Sequence, residues 1–329
     1  MSKGFARYVA GSIGRLLLLL VSCSALSFFL VTASPMKAVD AFLGEVNVSE
    51  EQRAHIEEQW DLNRPPLERY LKWAAAALRG DLGQSITHHK PVSQVLAERF
   101  KASLLLMGTA WALSGVLGLI LGIVAGAWRG GWPDRVIKTF SLLLASTPTF
   151  WIGLLILIVF AVQLQWFPLG LSIPIGRVAA ETTWAERLHH LILPALTLSI
   201  TGVANIALHT RQKLIDVLDS EYVLFARARG EALWQIIRRH GLRNIALPAI
   251  TLQFASVNEI FGGSVLAEKV FSYPGLGSTA VEAGLHADAP LLMGIALFSV
   301  LFVFAGNLAA NVLYGLIDPH IREGEKAHG

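Results

Sequence analysis

Six runs of apolar residues, each long enough to cross a lipid bilayer, limit what this chain can fold into. A transmembrane helix takes about 17–25 such residues. Charged residues make up only 16% of the chain, against about a quarter in a soluble domain. The sequence therefore predicts an all-α membrane protein with six transmembrane helices, at Leu16–Thr32, Ala102–Trp128, Thr139–Trp166, Leu191–His209, Ile245–Ala267 and Pro290–Ile317.

The placement of the basic residues predicts how these helices are oriented. Two short loops, 167–190 and 268–289, carry only Arg177, Arg187 and Lys269. Short cytoplasmic loops of membrane proteins are enriched in Lys and Arg, so these two loops are expected outside. We therefore expect both termini in the cytoplasm, where 15 of the 27 Lys and Arg residues would lie in the segments 1–15, 129–138, 211–243 and 318–329.

The first apolar run allows a second interpretation. Its basic start and apolar core are also found in cleaved signal peptides, and Leu20–Cys23 faintly resembles a lipoprotein box. An uncleaved first helix gives an even number of spans with both ends on the basic side, which favours a membrane helix. The chain then divides into a first transmembrane helix with its N-terminus at 1–32, an extracytoplasmic region at 33–100, and a core of five helices at 101–329.

The region at 33–100 is the one sizeable polar part of the chain, and it carries helix signals. Ser49, followed by two glutamates, is typical of a helix start. Pro65-Pro66 opens a second helix, and Gly80 ends it. We expect a small helical region that packs on the membrane domain from outside.

Several kinds of chemistry have no motif in this sequence. Cys23 is the only cysteine, and no Cys/His cluster has zinc spacing. Neither a phosphate-binding Gly-x4-Gly-Lys-Ser/Thr loop nor a His-Glu-x-x-His pair is present. His189-His190 could suggest a metal, although a position at the membrane surface explains two adjacent histidines more simply. We expect no cofactor bound by this chain, no metal site and no enzymatic activity of its own.

A basic, helix-forming stretch at 220–248 lies between two of the apolar runs. Its apolar residues recur at helical spacing, and Gly230 predicts two short helices that meet at a bend. One interpretation is a docking surface for a partner protein. The other is an ordinary positive loop that rests on lipid headgroups. Physical reasoning alone leaves both open.

The residues of this stretch resemble the coupling loop of permease subunits in ATP-binding-cassette importers of the dipeptide/oligopeptide/nickel family. The acidic residue that opens this signature in other importers is Leu224 here, and Gly230 lies further from Pro248 than in the shorter versions; the peptide/nickel family shares both features. The matching positions are Tyr222, Val223, Ala226, Arg227, Ala228, Arg229, Gly230, Arg239, His240, Leu242, Arg243, Asn244, Leu247 and Pro248.

Two other motifs are similar to the same family. One runs from Glu268 to Gly277 and contains Tyr273-Pro274-Gly275-Leu276-Gly277. The other contains Gly80-Asp81-Leu82-Gly83 and then Ser85. The family's Pro-Gly-Asp-Pro after the first span is reduced here to Ser34-Pro35-Met36.

This resemblance implies a type I importer transmembrane domain in a bacterial inner membrane. It implies a second, homologous permease subunit, two cytoplasmic ATP-binding subunits that hold ATP and Mg²⁺, and an extracytoplasmic substrate-binding protein; no nucleic acid is expected. It also implies a coupling loop at 211–245. The implied ATPase-coupling residues are Tyr222, Phe225, Ala226, Arg227, Ala228, Gly230 and Leu233, and the implied mouth residues are Tyr273, Pro274, Gly275 and Gly277.

Glu259 is an acid inside the fifth apolar run, with Gly262 and Gly263 beside it. An ionised acid at the centre of a bilayer costs about 2.5–3.5 kcal/mol on the more lenient scale, so it should face water, a partner or a substrate path. We assign these three residues to the translocation path. The alternative is that Glu259 only holds helices together.

The sequence therefore favours a permease that imports peptides or nickel/metal chelates by alternating access. The alternative is a secondary transporter or channel in which Glu259 relays an ion or proton. The substrate stays open, although Glu259, His189 and His190 mildly favour a metal or a metal chelate.

Overall fold

The computed structural model describes residues 3–34, 39, 49–59, 63–178 and 181–317. Regular secondary structure in these segments is helical, and one isolated bridge pairs Gln84 with Pro91. The helices are α1 Lys3–Thr32, α2 Glu50–Gln59, α3 Pro66–Ala77, α4 Val92–Ala127, α5 Trp132–Ser146, α6 Thr149–Ile156, α7 Trp184–Leu218, α8 Glu221–Ala228, α9 Leu233–Ile236, α10 Leu242–Ala255, α11 Val257–Val270, α12 Leu276–Leu285 and α13 Ala289–Ile317. Two π-helical turns, Leu157–Gln163 and Ile237–Gly241, continue α6 and α9.

Four of these helices are long and apolar enough to cross a membrane, within Gly11–Thr32, Val92–Ala127, Trp184–Leu218 and Ala289–Ala309. Two further pairs of helices pass the same test only together, and each pair is bent. The number of spans is therefore four, or up to six if each bent pair counts as one. Residues 318–329, which the sequence places in the cytoplasm, lie outside the described residues.

The third predicted span is broken at Pro148. The sequence predicts a kink there, but the helices on either side are bent by 112°. Thr147 is extended at φ −102°, as residues before proline tend to be, and Pro148 itself has ψ 131°. One helix thus ends and another begins, whereas Pro194 and Pro248 lie inside continuous helices.

The chain divides into two compact units. The first contains Met1–Ala102 with Pro274–Ala305, and the second contains Ser103–Tyr273 with Gly306–Gly329. This division does not test the boundaries at residues 32 and 100, which stay predictions.

In the first unit, α3 packs against α1, and a buried acid holds the loop that follows α3. Tyr70 and Ser24 share a hydrogen bond at 3.0 Å. Asp288, fully buried, accepts hydrogen bonds from the Ser85 hydroxyl at 2.6 Å and the Thr87 backbone at 2.9 Å. Its other oxygen accepts from the backbone of Leu291 at 3.1 Å, so it also caps α13. The serine of the Gly80–Ser85 motif therefore serves as a hydrogen-bond donor to the buried Asp288.

Replacing Asp288 with alanine is expected to destabilise the protein by about 1–2 kcal/mol, because it removes a helix cap and leaves buried donors without an acceptor. Unfolding of the purified chain in mixed micelles would measure this loss. Asp81→Ala is the matched control, since Asp81 is exposed and accepts one hydrogen bond, from Gly83. Equal losses in the two variants would contradict the anchoring role.

In the second unit, α7 is the central helix and packs against α5, α6, α10 and α11. Glycines of α4 allow α7 to approach closely. A Cβ on Gly122 would lie 2.5 Å from Thr210 Cβ and 2.7 Å from the Ala207 carbonyl oxygen. Gly118 and Gly126 face α7 in the same way. Gly108 differs, because nothing lies within 4 Å of the position of its missing side chain.

Candidate coupling surface and translocation path

The stretch at 220–248, for which the sequence predicts a cytoplasmic position, forms two short helices, α8 and α9, joined at Gly230, whose φ of +83° suits glycine. This confirms the predicted bend. The inner side of the stretch is buried, since Val223, Ala226 and Ile236 are each at most 1% exposed. They pack in a hydrophobic cluster with the end of α7 and the start of α10. The stretch is therefore supported by the membrane helices rather than loosely attached.

The outer side of the stretch is apolar and exposed. Phe225 is 72% exposed, Trp234 65% and Tyr222 46%. Leu224 and Leu233 are exposed as well, and Leu233 also lines the cavity described below. We call Tyr222, Leu224, Phe225, Leu233 and Trp234 the cytoplasmic apolar surface, after the cytoplasmic position that the sequence predicts for them.

The other residues predicted for coupling lie in three different environments. Arg227 and Ala228 are exposed, as is Gly230 in the bend. Ala226 is only 1% exposed. The side chain of Ala226 packs in the hydrophobic cluster with Val223 and Ile236, so Ala226 lies beneath the cytoplasmic apolar surface and supports it.

Ion pairs connect the ends of the helices next to this stretch. Arg211 of α7 donates to both carboxylate oxygens of Asp134, with Nη2 2.8 Å from Oδ2, and Asp134 also accepts from the Gly130 backbone. The two side chains are only 16% and 5% exposed. A second pair, between Arg129 and Asp219, is close at 2.6 Å but more than half exposed.

A cavity of about 520 Å³ lies beside the Arg129–Asp219 pair. Arg227 and Glu231 line it from the cytoplasmic stretch, and Arg129 and Asp219 line it from the helix ends. Of the four charged side chains that line the cavity, two are basic and two are acidic. Movement of the stretch relative to α7 would therefore change the volume of this cavity.

The fifth predicted span is broken at Ser256, where α10 and α11 meet at a bend of 50°. The sequence predicts one continuous span here, so the break is a correction. The Ser256 hydroxyl donates to the Gln253 carbonyl at 2.8 Å, and the Trp111 indole donates to the same carbonyl at 2.8 Å. Hydrogen bonds from side chains to a helix carbonyl bend the helix.

The side chains of Trp111 and Gln253 each donate a hydrogen bond to the backbone carbonyl of the other residue. The Gln253 side-chain amide donates to the Trp111 carbonyl and, at 3.3 Å, to the Ser114 hydroxyl. Gln253 is 8% exposed, and its amide lies where a side chain on Gly115 would stand. This reciprocal pair fixes the break from the side of α4.

Glu259 lies in the first turn of α11, just after the break, and is exposed. Its neighbour Asn258 donates a hydrogen bond to Asn307 of α13. Nothing lies within 4 Å of a Cβ built on Gly262, whereas one on Gly263 would contact Leu198 at 3.2 Å. Glu259 and Gly262 thus share an open face of α11, and Gly263 serves packing.

The residues predicted for the extracytoplasmic mouth are mostly buried. Tyr273 is 3% exposed in the second unit, and burial raises its pKa to about 12, with a further rise from Glu268 that Arg187 partly opposes. Glu268 is fully buried and accepts from the Ser103 hydroxyl at 2.6 Å. In the first unit, Gly275 and Gly277 are buried at the start of α12, and Pro274 is half-buried.

The His189-His190 pair holds the outer loop of the second unit. His189 Nε2 lies 2.9 Å from the Trp166 carbonyl, and His190 Nδ1 lies 2.8 Å from the Gly170 carbonyl. The loop also packs tightly on Phe271, because a Cβ on Gly170 would lie 2.1 Å from its carbonyl oxygen. In the part of the chain that is described, no three His, Cys, Asp or Glu side chains converge to hold a metal ion.

Comparison with known proteins identifies the family. The family described as "binding-protein-dependent transport system inner membrane component" matches residues 118–323, well over half of the chain. The chain belongs to this family. The permease is thus a multi-pass inner-membrane component of an ABC importer, and the resemblance inferred from the sequence is confirmed. Membership of this family implies that the permease functions together with ATPase subunits and a substrate-binding protein.

Curated relatives cover most of the permease. The oligopeptide transport system permease protein AppB of Bacillus subtilis (strain 168) is 33% identical over 308 residues, 92% of this chain and 95% of AppB. The glutathione transport system permease protein GsiC of Escherichia coli (strain K12) is 35% identical over 268 residues, 81% of this chain and 83% of GsiC.

A solved structure supports the fold. A chain of the MetNI methionine ABC transporter, in inward facing conformations, superposes on the permease with a TM-score of 0.55 at 14% identity. The match covers 69% of the permease and 97% of that chain. The permease therefore has the fold of an importer transmembrane chain.

Sequence reasoning missed three features of the permease. Trp234 belongs to the cytoplasmic apolar surface, and a tryptophan between two basic parts of the stretch was a usable signal. The Trp111–Gln253 pair and the Asp134–Arg211 pair join residues 142 and 77 positions apart. No local pattern could reveal these two pairs.

Proposed function

We propose that the permease is one of two homologous transmembrane subunits, two different chains, that import peptides by alternating access. The substrates in the names of its relatives, oligopeptide for AppB and glutathione for GsiC, support peptides over nickel or metal chelates. Two cytoplasmic partner subunits bind ATP and Mg²⁺ and hydrolyse the ATP, and an extracytoplasmic protein delivers the substrate. This chain itself binds no cofactor.

The observation that carries the proposal is the cytoplasmic apolar surface on a segment whose inner side is buried. An exposed group of aromatic side chains on a rigid support is typical of a protein interface. Residues at the rim of this surface, Arg227 and Ala228, are also exposed. The surface is therefore the docking site for an ATPase subunit within the coupling loop at 211–245.

Coupling would run from this surface into the membrane. Val223, Ala226 and Ile236 pack directly against the end of α7, so a displacement of the stretch moves that helix end as well. Packed interfaces switch between discrete arrangements rather than deform continuously. The translocation path passes the open face of Glu259 and Gly262, while Gly263 beside them packs on Leu198, and Tyr273–Gly277 lies at the extracytoplasmic mouth of the path.

The topology that fits this mechanism has six spans and both termini in the cytoplasm, as in a type I importer. It counts each bent pair, Trp132–Gln163 and Leu233–Val270, as one span. The basic residues of the 129–138 and 211–243 segments then share a compartment with the ATPases.

Replacing Phe225 with glutamate is expected to abolish the stimulation of ATP hydrolysis by loaded binding protein, at least about ten-fold, because a charge would enter an apolar interface. The measurement is the ATPase activity of the full complex in lipid vesicles, with and without binding protein and peptide. Since Phe225 is 72% exposed, the substitution leaves the fold of the permease intact.

Phe225→Leu is the matched control, because leucine keeps an apolar side chain at the same position. It should retain most of the stimulation. If no ATPase co-purifies with the wild type, and uptake instead follows a proton gradient and stops with Glu259→Gln, the importer mechanism is wrong and an ion relay takes its place.

A further inference from the structure

Glu259 is the only charged residue between Arg243 and Glu268, in the middle of the bent pair α10–α11. It is exposed on the surface of this chain. A carboxylate at this depth is too costly to leave in contact with lipid tails, so the exposed face of α11 meets water, substrate or protein. The structural acids Asp134, Glu268 and Asp288 are all buried, whereas Glu259 is not.

The space next to Glu259 is open along α11. Gly262 follows three residues later, on the same face of the helix, and nothing lies within 4 Å of its missing side chain. Asn258, the preceding residue, is tied to Asn307 of α13. The open face therefore presents a carboxylate beside the uncovered backbone of Gly262.

The position of this carboxylate is set before any substrate arrives. The Ser256 and Trp111 hydrogen bonds to the Gln253 carbonyl fix the break, and the break makes Glu259 part of a new first turn. Negative groups are favourable at the first turn of a helix. Broken helices within a membrane are where transporters commonly form substrate sites.

We infer that Glu259 binds the ammonium group of the transported substrate, the free amino terminus of a peptide. The inference rests on the proposed function, that the substrates are peptides. A carboxylate accepts charge-assisted hydrogen bonds from an –NH₃⁺ group. Every unmodified peptide carries this group whatever its side chains, so one acid can contact peptides of many sequences.

The test uses the complete transporter in lipid vesicles, with both permease subunits, the ATPases and the binding protein. Uptake of trialanine is compared with uptake of N-acetyl-trialanine, which lacks the ammonium group. Glu259→Gln should lower trialanine uptake about ten-fold, the effect of one hydrogen bond to a charged group, and leave the acetylated peptide unchanged. Glu259→Asp and the control Glu181→Gln, an exposed acid of the outer loop, should keep the wild-type preference.

Three results would overturn the inference. Glu259→Gln could carry trialanine at the wild-type rate, or it could lower the uptake of both peptides in proportion. It could also fail to co-purify the second permease subunit, which would make Glu259 an interface residue. If the wild type does not transport N-acetyl-trialanine, the inference is judged only by whether Glu259→Gln lowers the rate of trialanine uptake below that of the wild type.

The proposed function is judged separately in the same vesicles. A wild-type complex whose ATPase does not respond to binding protein contradicts the importer mechanism itself. A Glu259→Gln complex that keeps this response, and also keeps the wild-type preference, contradicts only the role of Glu259.

Discussion

Replacing Asp134 with alanine is expected to lower the free energy of unfolding of the permease by about 3–5 kcal/mol, the usual cost of leaving one partner of a buried ion pair alone. The substitution strands the guanidinium of Arg211, which is only 16% exposed. It also removes the acceptor of the Gly130 backbone N–H in the turn before α5. Unfolding of the purified permease in mixed micelles, followed by tryptophan fluorescence, measures the loss.

Asp219→Ala is the control for this experiment. It removes the same kind of side chain from the Arg129 pair, whose members are 58% and 62% exposed. Exposed pairs contribute about 0–1 kcal/mol, so this variant should remain close to wild type.

A double variant, Asp134→Leu with Arg211→Met, separates the stranded charge from lost packing. It should recover much of the stability, because it leaves no unpaired charge behind. Similar losses in Asp134→Ala and Asp219→Ala would show that the buried Asp134–Arg211 pair contributes no more to the free energy of unfolding than the exposed Arg129–Asp219 pair.

Replacing Gly122 with leucine is expected to prevent α4 from packing on α7, at a cost of about 3 kcal/mol or more. Even the first carbon of a side chain would lie 2.5 Å from Thr210 Cβ and 2.7 Å from a backbone carbonyl oxygen of α7. A carbonyl oxygen in a helix cannot rotate away as a side chain can. The yield of folded permease after extraction, and its unfolding in mixed micelles, would show the loss.

Gly108→Leu is the matched control on the same helix. Nothing lies within 4 Å of the Gly108 position, so the new side chain meets open space. Leucine is also a better helix former than glycine, by up to about 1 kcal/mol. The variant should be neutral or slightly stabilised, and a loss equal to that of Gly122→Leu would contradict the packing argument.

Motifs in the sequence identified the family before any geometry was available. The residues from Tyr222 to Pro248 resemble those of importer permeases, and the family match over residues 118–323 confirms the family. The structure assigns roles to some of these residues. Ala226 supports the cytoplasmic apolar surface from beneath, whereas Tyr222 and Phe225 form it.

The sequence by itself determined where the helices lie, that they are apolar enough for a membrane, and which family the chain belongs to. These properties are local, because hydropathy, helix capping and short motifs are encoded in neighbouring residues. Even the bend at Gly230 followed from one residue that tolerates positive φ.

Only the tertiary structure decided where helices break and which charges are paired. Nothing in the sequence from Ile245 to Ala267 marks a break at Ser256, since its causes include a tryptophan on another helix, 142 residues before Gln253. The 112° bend at Pro148 exceeds what a proline alone indicates. Such features depend on hydrogen bonds and packing between distant segments, and those contacts exist only once the helices have assembled.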